Sequence, residues 1–131
     1  MKHRATLVLF TMALIVAASD NYAAIVYGSD LVQYMKAYDK QADGKPLEGE
    51  DLRNATLFVH YIEGVLTTAP GGTFWGYQLP DGETIGQVCD VVSKFLKAHP
   101  EKLDTKGTRL ILDALREAYP AKSTPDDGSK Q

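Results

Sequence analysis

The residues of this 131-residue chain that have the types and spacing for chemistry are few, and they fall into three groups. The first is Asp39 to Glu50, "DKQADGKPLEGE". It follows the twelve-residue calcium-loop pattern at four places: Asp39 at the first position, Asp43 at the fifth, Gly44 at the sixth and Glu50 at the twelfth, where a bidentate carboxylate is needed. Gln41, at the third position, is longer than the usual Asp or Asn and carries no charge. Pro46, at the eighth, has no N–H to pair with a partner loop, and no second such loop occurs. The competing reading is a polar connection between helices with a turn at Gly44-Lys45-Pro46.

The second group is the thiol and imidazole set. Cys89 is the single cysteine, and it falls on an apolar stripe without a Gly-rich or Ser-based nucleophile motif beside it. Its spacing predicts a buried core thiol, since a reactive one needs a lowered pKa and a nearby base. His60 and His99 belong to no cluster with zinc-ligand spacing. The scattered Asp and Glu residues offer no acid/base pair. The pattern predicts no enzyme, no resident metal and no cofactor.

The third group is "PGGTFWGYQLPDG", Pro70 to Gly82, which sets Phe74, Trp75 and Tyr77 among glycines and prolines; Trp75 is the only Trp. Large aromatics belong in a core or at a contact surface. Either these rings fold back over the helix ends, or they face a partner as anchors, with Gln78 and Asp81 beside them. Glu48, Glu50, Asp51, Asp81 and Glu83 are secondary candidates for steering a basic partner, or else an ordinary solvated face.

The elements that position these groups are helical. Lys2, His3 and Arg4 followed by the apolar run Ala5 to Ala18 read as a secretory signal, too short to span a bilayer. Residues 1–24 are the expected signal peptide, so no membrane anchor is expected once it is cleaved. Its removal takes Lys2, Arg4 and Asp20, which leaves 12 basic and 16 acidic residues and a net charge of −4. That balance speaks against nucleic acid or an anionic membrane as partner. An exported domain with one cysteine must hold together by packing.

From residue 25 to 120 the periodicity predicts a small all-α, single-domain bundle of about four main helices. Ser29 is the expected cap of the first, with Leu31, Tyr34, Met35 and Tyr38 on one face. The second runs from about Glu50 to Leu66, with a stripe of Leu52, Ala55, Val59, Ile62 and Leu66 widened by Leu57, Phe58, Tyr61 and Val65. So broad an apolar face predicts a central helix, and Gly64 inside it predicts close approach of another helix. Thr84 with Gln87 forms a capping box for the third, which Pro100 ends. The fourth starts near Asp104 or Thr105 and stops before Pro120. Residues 121–131 read as a disordered tail.

Three stretches, "FVHYIEGVL" (Phe58–Leu66), "QLPDGETIGQVCDVVSKFLKAHPEKL" (Gln78–Leu103) and "LILDALREAYP" (Leu110–Pro120), resemble the Tai/Rap-type immunity proteins of bacterial type VI secretion. The resemblance is carried by Tyr61, Ile62, Gly64 and Val65; by Leu79, Pro80, Thr84 and Gln87; by Leu96, His99 and Pro100; and by Ala114, Leu115, Tyr119 and Pro120. It implies a small helical protein exported to the periplasm that blocks a cell-wall amidase effector, without catalysis of its own and as a homodimer. Members usually carry cysteines where this chain has Phe58, Gln78 and Ala121, so the disulfides expected of the family cannot form here. Two other readings stand beside this one: a calcium-binding periplasmic helical module using Asp39, Gln41, Asp43 and Glu50, and a periplasmic helical protein of unrelated role.

Overall fold

The computed structural model describes residues 25–122, so the expected signal peptide and all of the expected tail beyond Lys122 lie outside the described residues. Four helices follow one another: α1 (Gly28–Ala42), α2 (Glu50–Thr68), α3 (Ile85–Ala98) and α4 (Gly107–Ala118), with a 3₁₀ turn at Pro100–Lys102 between the last two. Among the described residues the only extended pairings are three isolated bridges, Tyr27 with Lys106, Gly72 with Tyr77 and Tyr77 with Pro120. The all-α expectation holds.

The start of α1 is set from a distance. Ser29 is not the cap; the helix begins at Gly28, and the Asp30 carboxylate accepts a hydrogen bond from the Tyr27 amide at 2.9 Å. The free amides of the first turn, which need partners outside the helix, donate to the 103–105 segment: Gly28 N to Thr105 O at 2.9 Å and Ser29 N to Leu103 O at 3.0 Å. The approach is close enough that a Cβ on Gly28 would lie 2.7 Å from Leu103 Cα, which only glycine avoids. Leu31 and Met35 are buried and Tyr34 and Tyr38 half-buried, as the spacing required.

Helix α2 packs chiefly on α1 and only lightly on α3 and α4. It touches all three other helices. Its buried residues are Ala55, Phe58, Ile62 and Val65; Val59 and Leu66 are half-buried, and Leu52 stays 55% exposed. Gly64 is exposed, and a Cβ there would meet no atom within 4 Å, so no helix approaches it. Val88, Cys89, Val92, Phe95 and Leu96 of α3 meet Leu110, Ile111, Ala114 and Leu115 of α4 in one core with Leu31, Phe58 and Ile62.

The capping box on α3 forms as read: Gln87 N donates to Thr84 Oγ1 at 3.3 Å and Thr84 N to Gln87 Oε1 at 2.8 Å. His99 leaves the helical region at φ −126°, ψ 57°, ahead of Pro100. Helix α3 is thus delimited by local chemistry, and the longest departure from helix among the described residues is the connection from α2 to α3.

Candidate functional site: a braced aromatic tip

The α2–α3 connection turns sharply at glycines with positive φ, Gly71, Gly72 and Gly76. Within it Gly72 N donates to Tyr77 O at 2.7 Å, while Trp75 N and Gly76 N both donate to Gly72 O at 3.0 Å. The result is a tight turn with residues 73–75 at its tip. Its far limb is laid against the end of the described chain: Gln78 N donates to Tyr119 O at 2.8 Å and Ala121 N to Gly76 O at 3.2 Å.

The three rings take three different places. Tyr77 is fully buried in the core, and its hydroxyl donates to the Ala69 carbonyl that ends α2. It offers no accessible surface, so as a direct partner contact it is corrected to a core anchor. Desolvation by burial raises its phenol pKa. Trp75 is half-buried, packed against the core cluster. Phe74 is 88% exposed, edge-on to the Trp75 ring with centroids 5.0 Å apart at 88°. Gln78 and Asp81 are exposed on the same connection. Beside the tip lies a groove of about 550 Å³, lined by Gly72, Thr73, Leu79, Pro80, Pro120 and Lys122 among others.

One cation from another element reaches this turn. Arg116, in the last turn of α4, donates from Nε to Trp75 O at 2.8 Å, and its Nη1 lies 3.3 Å from Asp113 Oδ1. Neither Arg116 nor the Tyr119–Ala121 segment was a site candidate from the sequence. They lie some forty residues along the chain, and no local pattern ties them to residues 73–78.

The other candidates are placed elsewhere. Helix α1 continues through Asp39 to Ala42, which turns the Asp39 carboxylate toward α3. There it accepts from Ser93 Oγ at 2.9 Å and pairs with Lys97 Nζ at 2.6 Å. Asp43 faces Lys45 at 3.7 Å, and Gln41 and Glu50 are exposed. Among the described residues no group of three or more His, Cys, Asp or Glu is placed to hold a metal ion. Asp39 to Ala42, the first third of the calcium-loop pattern, are helical here.

Of the secondary acids, Asp51 pairs with Lys40 at 2.6 Å and Glu83 accepts from the Tyr119 hydroxyl, while Glu48 and Asp81 are exposed. Cys89 is fully buried, and burial, then Asp90 and Glu63, push its thiol up to about 12, so it carries no thiolate at neutral pH. His60 is exposed; the His99 ring lies tilted at 45° to that of Phe95, centroids 4.3 Å apart, with Nδ1 3.0 Å from Glu101 Oε1.

Among the described residues Phe74 is the most exposed large apolar side chain, and it stands on a turn held by hydrogen bonds on both limbs. The chain matches the family model of the Rap1a immunity proteins over residues 28–121 and belongs to that family. Membership indicates immunity against a secreted effector through binding of that effector, and such families are generally non-enzymatic. Neither the curated proteins nor the solved structures gave a match.

Proposed function

We propose that this protein is a periplasmic immunity protein that binds and inhibits a peptidoglycan amidase delivered by type VI secretion, and that the Phe74–Trp75 tip enters the enzyme's cleft. Residues 1–24 serve as the signal peptide, and the exported chain acts as a homodimer. The amidase class and the dimer are supported by the motif resemblance running from Phe58 to Pro120, and the export by the basic head and apolar run that open the sequence.

The observation that carries the contact assignment is Phe74. A ring 88% exposed on a turn with hydrogen bonds on both limbs, touching the Trp75 ring edge-on, adds little to the fold's own packing. A contact residue fixed before binding avoids much of the ordering cost that a mobile loop incurs. Buried aromatic anchors are where binding energy concentrates, roughly 2 kcal/mol or more each, about thirtyfold in affinity.

The test is inhibition of peptidoglycan cleavage by the product of the adjacent reading frame, titrated with the purified protein. Stoichiometric inhibition is expected. Phe74→Ala should weaken binding by about thirtyfold and leave the melting temperature where it was. An undisturbed amidase would overturn the functional reading. Undiminished affinity in Phe74→Ala would remove the tip from the interface.

A further inference from the structure

We infer that Arg116 is a positioning residue for the binding tip: anchored by Asp113, its guanidinium clamps the Trp75 carbonyl and fixes the shape in which Phe74 is presented. The inference rests on the reading of the tip as the contact surface, and its test separates the two.

The turn has little stiffness of its own, because Gly71, Gly72 and Gly76 all sit at positive φ, where glycine's freedom is greatest in the unbound chain. Its base is secured by Tyr77, Gln78 and Ala121. Residues 73–75 are different. Among the described residues, the one hydrogen bond they receive from outside the turn is Arg116 Nε to Trp75 O, 2.8 Å. A hydrogen bond with a charged donor is roughly twice as strong as a neutral one.

The Arg116 side chain also packs against the turn. A Cβ on Gly76 would come 3.3 Å from Arg116 Nε and 3.5 Å from its Cγ, so the side chain packs directly on the Gly76 backbone. Behind it, Asp113 Oδ1 accepts from Arg116 Nη1 at 3.3 Å and from Arg109 Nε at 3.1 Å. Arg116 therefore uses two edges of one planar group, one toward the tip and one toward its own helix. A lysine ammonium, a single point of charge, cannot hold both partners in that fixed geometry. The Arg116 side chain is 38% exposed, and its hydrogen bond to the tip is made to the Trp75 carbonyl.

If release of the clamp lets the presented shape fall to about a tenth of the population, apparent affinity falls about tenfold. Because Trp75 is the only Trp, its fluorescence reports the tip alone. Time-resolved anisotropy of the purified free protein should show only whole-molecule tumbling in the parent, and an added fast component in Arg116→Ala and Arg116→Lys. Asp113→Asn serves as the milder variant should Arg116→Ala fold poorly, and it should show the same component. Affinity for the purified product of the adjacent reading frame should fall about tenfold in all three. Arg109→Ala, which shares Asp113 but does not touch the turn, should stay within twofold of the parent.

Full affinity in Arg116→Lys would mean that charge alone matters and would overturn the clamp. So would a tip that stays immobile in both Arg116 variants. Undiminished affinity in Phe74→Ala would instead fell the contact reading, while the clamp would stand or fall on the anisotropy.

Discussion

Gly64→Ala should stabilise the protein. Gly64 lies well inside α2, which runs Glu50–Thr68, and the usual reasons for a helical glycine are missing there. Its φ is not positive, it is exposed, and a Cβ would meet no atom within 4 Å. The substitution therefore adds no clash and removes no contact. What remains is the propensity difference between glycine and alanine in a helix interior, about 1 kcal/mol, most of it freedom that the unfolded chain no longer has to lose. For a domain of about 100 residues the unfolding entropy is on the order of 0.2 kcal/mol/K, so the melting temperature should rise by about 5 °C. Calorimetry and the urea midpoint, measured on both chains at the same concentration, should agree in sign. A fall in melting temperature would refute the reasoning, because it would mean that something covers Gly64 in solution and needs it bare.

Trp75→Ala should lower both stability and affinity, by contrast with Phe74→Ala, because the indole is half-buried against the core; loss of affinity with no change in melting temperature would mean the indole packs on nothing. Asp39→Ala leaves buried Ser93 without its acceptor and Lys97 without its partner, and should cost about 1–2 kcal/mol by urea denaturation. Millimolar calcium should leave the melting temperature of the parent unchanged, and a rise would support the metal reading. Thr84→Ala removes the cap of α3 and should cost about 1 kcal/mol. The folded chain keeps a proton on Cys89 up to about pH 12, whereas the unfolded chain releases it above about 9. Stability should therefore fall as pH rises through that window, and Cys89→Ala should show a shallower fall between pH 8 and 11; parallel curves would refute the assignment.

What the sequence made legible was what its local chemistry decides. Thr84, Gln87 and Pro100 delimit α3 without help from the rest of the chain, and the structure puts the boundaries there. The start of α1 was misplaced because its first amides are satisfied by carbonyls of residues 103 and 105, which no window around Ser29 contains. Gly64 was misread for a related reason: propensity says that a helical glycine is costly, but only the packing says whether it is used. Asp39 matched a metal-loop pattern by residue type, yet the helix ran on past it and α3 offered Ser93 and Lys97. At the tip, the sequence posed the right question about three rings and treated them as one unit. The answer differs ring by ring because Tyr119, Pro120 and Ala121 close over Tyr77, Arg116 holds Trp75, and Phe74 is left outside.

The same tertiary closure accounts for how this chain manages without the disulfides that the family resemblance implies. Of the three positions where cysteines are usual, Phe58 is fully buried with its ring 5.2 Å from that of Tyr38. Gln78 and Ala121 lie on the two segments that the Gln78–Tyr119 and Ala121–Gly76 backbone bonds join around Tyr77. A disulfide contributes typically 2–4 kcal/mol, mainly by constraining the unfolded chain. Two backbone hydrogen bonds contribute net roughly 1 kcal/mol each, and truncating a buried Phe costs about 3–5 kcal/mol. Packing is thus of sufficient size to replace a bridge, but it acts only in the folded state. Phe58→Ala should accordingly be far more damaging than any change of redox conditions. With Cys89 buried and alone, reductant should shift neither the melting temperature nor the Trp75 anisotropy. The tip keeps its shape for as long as the core beneath it does, since Tyr77 and Arg116 tie it to that core and nothing covalent does.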